Sequence, residues 1–197
     1  MITCPVKTLI LASTSRYRRA QLERLGVPFV AIPPAIDEEA EKDPRLSPPE
    51  LAIHLARKKA ESLRAEHPLA TIIGSDQLVA DGARILGKPG SVEGAVEQLW
   101  SLAGRTHVLW TAMVVADPSG DHLHLDETRL TLRVLDRAAI ARYVARDQPL
   151  DCAGAYKIEA AGIGLFERIE TEDPSAIEGL PLLALVRRLA GLGFAIP

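Results

Sequence analysis

Short apolar runs alternate with amphipathic stretches along this chain, and the alternation predicts its elements. Thr8 to Ala12 is an apolar run read as a buried strand. Ser13-Thr14-Ser15 then supplies helix-capping hydroxyls, and a helix runs to Leu25, where Gly26 stops it. Val27 to Ile32 reads as a second strand. Ser47 to Ala65 is helical: Ser-Pro-Pro-Glu opens it, and Leu51, Leu55 and Ala60 fall near one face. Ala70 to Gly74 is an apolar strand that ends at Ser75-Asp76, and the turn signal Asp81-Gly82 makes Leu78 to Leu86 a hairpin. Glu93 to Leu102 is a helix. Val108 to Ala116 and Leu123 to Val134 alternate as strands, joined by Asp117-Pro118-Ser119-Gly120. Asp136 to Arg146 is helical, and Pro174 to Leu192 contains a further helix. Strands and helices alternate with hairpins among them, so the expected class is α/β with a central mixed β-sheet flanked by helices.

Composition narrows the function. The chain has 197 residues, 47% hydrophobic and 25% charged, enough to bury a core and too apolar for disorder. The formal charge of −3 provides no overall positive field for nucleic acid, so a phosphate site has to be a local cluster of Lys and Arg. No apolar run approaches the roughly 20 residues of a membrane span, and Met1-Ile2-Thr3-Cys4-Pro5 lacks a basic region followed by a long apolar one. A soluble, cytoplasmic protein is expected. The two cysteines, Cys4 and Cys152, have no zinc spacing and read as reduced thiols.

Candidate chemistry gathers in a few places. Ser13-Thr14-Ser15-Arg16-Tyr17-Arg18-Arg19 sits where a helix N-terminus presents free N–H groups, and its hydroxyls and arginines suit a polyphosphate. By itself the cluster also fits a capped helix with a solvated basic face. Gly74-Ser75-Asp76-Gln77 puts a carboxylate at a strand end, where open α/β sheets bind ligands, although a turn-forming aspartate fits that place too. Lys88 in Gly87-Lys88-Pro89 lacks the Ser/Thr of a P-loop and alone reads as a surface residue. Asp37-Glu38-Glu39 is either a solvated run or a source of oxygen ligands for Mg²⁺ or Mn²⁺. His122 and His124 share a strand face without an evident third ligand and read as surface hairpin.

Taken together, Leu11-Ala12-Ser13-Thr14-Ser15-x-x-Arg18-Arg19, Asp37-Glu38, Ala56-x-x-Lys59-Ala60, Gly74-Ser75-Asp76-Gln77 and Gly87-Lys88-Pro89 resemble the Maf family of nucleoside triphosphate pyrophosphatases, from Leu9 to about Leu192. Tyr17, Gln77 and Glu159, the last within Leu150-Asp151-Cys152-Ala153-Gly154-Ala155-Tyr156-Lys157-x-Glu159, are similar to the branch that acts on 7-methyl-GTP. Arg16 departs from the family, which usually has Pro there, and brings extra positive charge. The resemblance implies an elongated, two-lobed fold related to the inosine-triphosphate pyrophosphatases, one domain over residues 1–197 around a deep central cleft. It implies a divalent cation (Mg²⁺ or Mn²⁺) as cofactor, a nucleoside triphosphate as substrate and dimers among relatives. Residue by residue, Asp76 becomes the proton acceptor and, with Glu38, the metal ligand. Ser13, Arg18, Lys59 and Lys88 bind the phosphates, and Tyr17, Gln77 and Glu159 bind the base. Two other readings stay open: the same chemistry on another modified nucleotide, and a nucleotide-binding regulator of cell division acting through a partner.

Overall fold

The computed structural model describes residues 7–196; Cys4, with the rest of residues 1–6, and Pro197 lie outside the described residues. Next to one edge of the sheet, β1 (Leu9–Ala12) has two parallel neighbours, β2 (Val30–Ile32) and β3 (Thr71–Asp81), reached through α1 (Arg16–Glu23) and α2 (Pro48–Glu61). Chain reversal at Gly82, with φ +62°, brings β4 (Arg84–Leu86) back antiparallel on β3. Helix α3 (Val92–Leu102) leads into the long hairpin β5 (Thr106–Asp117) and β6 (Gly120–Leu132). Helix α4 (Arg137–Asp147), β7 (Phe166–Glu170) and α5 (Leu182–Gly191) complete the order. Among the described residues the sheet is seven-stranded and mixed, in the order β2-β1-β3-β5-β6-β7, with β4 also on β3.

Strand β3 corrects the sequence reading that ended it at Gly74. It continues through Ser75-Asp76-Gln77 to Asp81 because β5 pairs with it without a break from Ile72 to Ala80. Polar residues survive inside this strand because alternate positions meet polar partners on opposite faces. The other edge of β3 is divided. It carries β1 as far as Gly74 and β4 from Val79 onward, so Ser75 to Leu78 have no strand beside them there. The gap opens where the parallel strands end and α1 begins. Asp76 is thus mid-strand in β3, yet it lies just past the carboxyl end of the parallel portion.

The helix expected within Pro174 to Leu192 is α5: a 3-10 turn, Pro174–Glu178, ends at Gly179 with φ +115°, and the helix starts after Pro181. One other expectation is revised. The second strand begins at Val30 rather than Val27. The segment 150–165 and β7 lack a clear periodicity in the sequence and carry no element expectation.

Packing follows from strand alternation. One sheet face buries Ile10, Ile72, Ala112 and Val114 against α2. The opposite face buries Leu9, Leu11, Ile73, Met113 and Val115 against α1 and α5. A third cluster of Leu99, Leu130, Ile140 and Tyr143 joins α3 and α4 to the far end of the hairpin. Helix α2 approaches β3 at backbone contact: a Cβ added at Gly74 would stand 2.3 Å from the Ala56 carbonyl oxygen and 2.7 Å from the Ala60 nitrogen. Gly74→Ala should therefore cost about 1–3 kcal/mol of stability, read from the denaturant midpoint; an unchanged midpoint would show that α2 can move away freely.

His107 in β5 is 1% exposed, and its Nε2 lies 3.0 Å from the Tyr156 hydroxyl. Burial pushes its pKa down to about 4, with Asp81 opposing. The folded imidazole stays neutral where the unfolded one protonates, so its contribution is complete above about pH 6.5 and is lost as pH falls towards 4. Over that window the parent should lose up to about 3 kcal/mol more than His107→Leu, measured as ΔG of unfolding against pH.

Candidate active site

The gap in β3 opens into a cavity of about 630 Å³ whose lining includes Ser13, Tyr17, Arg18, Glu38, Lys59, Asp76, Gln77, Lys88 and Glu159. All nine residues singled out in the sequence are thus brought to one space.

The floor is a buried charge cluster. Lys59, on α2, donates to Asp76 Oδ1 at 2.7 Å and lies 3.1 Å from Glu38 Oε2. The Lys59 and Asp76 side chains are only 5% and 8% exposed, whereas Glu38 is half exposed. One ammonium therefore holds both carboxylates proposed as metal ligands. Burying such a pair is costly unless each charge has a partner, and here each has one.

The N-terminus of α1 forms a second wall. The Ser15 side chain caps the helix by accepting from the Arg18 N–H, and Ser13 Oγ accepts from the Ser15 N–H at 3.1 Å. Arg18 spends its Nε on the Gly179 carbonyl at 3.1 Å, which leaves its terminal nitrogens for the cavity. Burial lowers the Arg18 pKa, and the nearby Asp76 and Glu38 oppose that shift. Arg18 is partly buried, and a guanidinium with part of its water removed attracts an anion more strongly than a fully solvated one. Arg19, the second arginine of the pair, is exposed and absent from the lining, whereas Arg16 is part of it. Arg16 donates to the Tyr17 hydroxyl at 2.8 Å and lies 4.8 Å from its ring centroid.

Lys88 stands exposed on the loop after β4. The Gln98 amide holds the Gly87 carbonyl at 3.0 Å, and the Gly90 N–H donates to the Leu150 carbonyl, which ties this loop to the segment carrying Glu159. That segment hangs on the C-terminal end of α4. The Tyr143 hydroxyl accepts from the Lys157 N–H at 2.9 Å, and Lys157 Nζ donates to the carbonyls of Asp147 and Gln148. Asp151, Cys152, Tyr156 and exposed Glu159 line the cavity from it. Burial raises the Cys152 thiol to about 11, with Asp151 adding to the shift, so it is protonated at neutral pH.

Gln77 is placed differently from the base contact expected of it. Both hydrogens of its Nε2 are committed to Thr111 Oγ1 at 3.0 Å and to the carbonyls of Ala176 and Ile177 at 2.8 and 3.1 Å. The same turn contributes Ile177 and Glu178 to the lining. Neither carried a motif in the sequence; the one available signal was the Gly179-Leu180-Pro181 breaker after them. His122 and His124 lie on the β5–β6 hairpin, away from this cavity, beside Arg187 and Arg188 in a groove of about 320 Å³.

Residues 8–192 match the family described as Maf-like protein. The chain belongs to the Maf family. It is 50% identical over 181 residues to a 7-methyl-GTP pyrophosphatase of Bdellovibrio bacteriovorus, covering 92% of this chain and 95% of that one. It is 46% identical over 189 residues to a 7-methyl-GTP pyrophosphatase of Xanthomonas axonopodis, covering 96% and 98%. A nucleoside-triphosphatase (dITP/XTP pyrophosphatase) of Mycobacterium abscessus superposes on 64% of this chain and 74% of its own, with a TM-score of 0.43 and 16% identity, too slight a likeness to support any argument. The described Maf residues include no helix long and apolar enough to cross a membrane.

The Lys59–Asp76 pair gives an asymmetric prediction. Asp76→Asn keeps an oxygen for Lys59, which also retains Glu38, so unfolding should shift by at most about 1–2 kcal/mol. Lys59→Met leaves a buried carboxylate without its cation and should cost about 3–5 kcal/mol. Denaturant titrations compare the two, and equal losses would mean that water screens the pair.

Proposed function

We propose that this Maf chain hydrolyses 7-methyl-GTP to the nucleoside monophosphate and pyrophosphate. The observation that carries this reading is the convergence of Arg18, Lys59, Lys88, Asp76, Tyr17 and Glu159 on one cavity. The names of the relatives support the same substrate. Expectations of a single two-lobed domain and a homodimer come with the family resemblance, and that of a cytoplasmic location with the absence of a signal or membrane-span pattern in the sequence.

In this reading the phosphates lie along the N-terminus of α1. Arg18 grips them with its terminal nitrogens, Lys88 closes from the opposite loop, and Ser13 adds a hydroxyl. Asp76, with Oδ1 fixed by Lys59, takes the proton of the water that attacks the α-phosphorus. The bond from that phosphorus to the bridging oxygen breaks, and pyrophosphate leaves with its charge met by the arginine and lysines.

The residues present fit a divalent cation. Glu38 and Asp76 offer hard carboxylate oxygens on either side of one ammonium, which suits Mg²⁺ or Mn²⁺ completed by substrate phosphates and water. Among the described residues no group of three or more His, Cys, Asp or Glu forms an all-protein cage. Four cationic side chains and five carboxylates line the cavity, a net negative lining for a polyanionic substrate. When bound, the cation would neutralise phosphate charge and polarise the reacting phosphoryl group.

Methylation at N7 makes guanine cationic. Tyr17 offers an aromatic face worth about 0.5–2 kcal/mol to a cation. Glu159 accepts from the N1–H and amino edge and offsets the ring charge. The kcat/KM of the parent for 7-methyl-GTP should therefore exceed that for GTP, dTTP, UTP and CTP. Glu159→Gln should lower the ratio of 7-methyl-GTP over GTP by about tenfold, since charge-assisted hydrogen bonds contribute about 1.5–3 kcal/mol. Asp76→Asn should remove nearly all turnover on every nucleotide. A parent that prefers dTTP or UTP would overturn the substrate assignment and leave the chemistry standing.

A further inference from the structure

The turn that follows β7 has its own backbone bonds, Ala176 N–H to the Asp173 carbonyl and Gly179 N–H to the Ala176 carbonyl, and is tied to the rest of the fold by side chains along most of its length. Gln21 of α1 donates through Nε2 to the Ser175 carbonyl at 2.7 Å and the Leu180 carbonyl at 3.3 Å. Gln77 takes the carbonyls of Ala176 and Ile177, and the Thr111 hydroxyl adds a second bond to Ala176 at 3.0 Å. Ser75 Oγ and Arg18 Nε reach the Gly179 carbonyl at 2.8 and 3.1 Å. Five of the six carbonyls from residue 175 to 180 are therefore received by side chains of α1, β3 and β5.

Register explains the receptor. Ser75 and Gln77 share one face of β3, with Asp76 on the other, and Gln77 is the cross-strand partner of Thr111 on β5. Thr111 is wholly buried, 0% exposed, and is not among the residues lining the cavity. The turn it holds supplies Ile177 and Glu178 to the cavity wall.

We propose that Gln77 and Thr111 are positioning residues that set nucleotide preference through the 174–180 turn, with Ile177 and Glu178 as the wall they aim, rather than by touching the base. The proposal rests on the reading of this cavity as the nucleotide site. A side-chain amide whose hydrogens are both spent on the protein has no donor left for a base edge. Removing the Thr111 hydroxyl takes one donor from the Ala176 carbonyl and one acceptor from the Gln77 amide, which loosens the hold of this network on the wall.

Thr111 separates the two accounts, since it cannot touch a bound nucleotide. Kinetics with a divalent metal are measured on 7-methyl-GTP, GTP, dTTP, UTP and CTP for the parent, Thr111→Val, Thr111→Ser, Gln77→Glu and the double variant Thr111→Val/Gln77→Glu. Whichever nucleotide the parent prefers, Thr111→Val should lower that preference by about five- to tenfold, chiefly through KM, because it removes both the bond to the Ala176 carbonyl and the acceptor of the Gln77 amide. Gln77→Glu should lower it at least as much, the double variant should fall short of the product of the two effects, and Thr111→Ser should restore the parent ratio. Amide exchange across 174–180 should quicken in Thr111→Val alone among single threonine variants. A preference that changes in Gln77→Glu and stays at the parent value in a folded Thr111→Val would overturn the proposal and return Gln77 to direct base contact. If Thr111→Val does not fold, Thr111→Ala and the exchange rates decide by the same criterion. A parent that prefers another nucleotide overturns the 7-methyl-GTP reading alone, because the ratios for that nucleotide still test the turn.

Discussion

The buried Lys59–Asp76 pair exists because α2 lies on β3 at backbone contact distance. Gly74 permits that approach, and only there could an α2 side chain place its ammonium 2.7 Å from a carboxylate that starts in the middle of a strand. The pair needs a dry floor to be strong and a wet opening to be useful. The divided edge of β3 gives both. Ala56, Ala60 and Leu55 seal the side towards α2, while the absence of a neighbouring strand at residues 75–78 leaves the other side open. A strand paired along both edges would have placed a backbone ladder in the space a substrate needs.

A second consequence of the same strand is division of labour between its faces. Asp76 looks towards α2 and the cations, and Ser75 and Gln77 look towards the 174–180 turn. On the proposed reading, chemistry and wall position are thus set by consecutive residues of one rigid element. Movement of β3 relative to α2 would disturb both, and such a strand, paired with β5 over its whole length and packed on two cores, resists that movement. Rigid placement favours catalysis because charge that is already aimed need not reorganise during the reaction.

Much of this was legible in the sequence, for identifiable reasons. Apolar runs such as Leu9–Ala12 and capping serines such as Ser15 act locally, so their pattern survives in the chain. The site motifs were legible because their residues come from strand and helix ends with fixed spacing. What could not be read depends on distant partners. Strand β3 appeared to stop at Gly74 since three polar residues follow, and only β5 and the turn make those residues acceptable inside a sheet. Segment 150–165 has no period because Tyr143, Asp147 and Lys157 hold it by side-chain bonds to backbone, which leave no periodic trace. In sequence Gln77 reads as a base contact, since an amide beside a candidate catalytic aspartate invites that role, and nothing in the chain announces that carbonyls about a hundred residues away take up its hydrogens.

The cavity's charge pattern bears on how a methylated base would be told from an ordinary one. The carboxylates divide between two environments: Glu38 and Asp76 are both engaged by Lys59, whereas Glu159 is exposed on a segment anchored to α4. In the proposed reading Glu38 and Asp76 serve Lys59 and the divalent cation, so any preference for a cationic ring has to arise at Glu159, Asp151 or Glu178. Of these, Asp151 is 3.6 Å from Lys157 Nζ, and Glu178 is 3.7 Å from an Arg24 nitrogen. Glu159 has no such partner among the described residues, which leaves it the carboxylate with the most charge to offer a base. Arg16, over the Tyr17 ring, already occupies one aromatic face with a cation. A cationic base stacked on Tyr17 therefore has to use the other face or displace the guanidinium, and the net gain is the difference between two cation–aromatic contacts rather than the whole of one. On the proposed reading, discrimination by the ring is accordingly smaller than discrimination by the carboxylate, and the base preference then depends most on the placement of Glu159 by the α4 anchor.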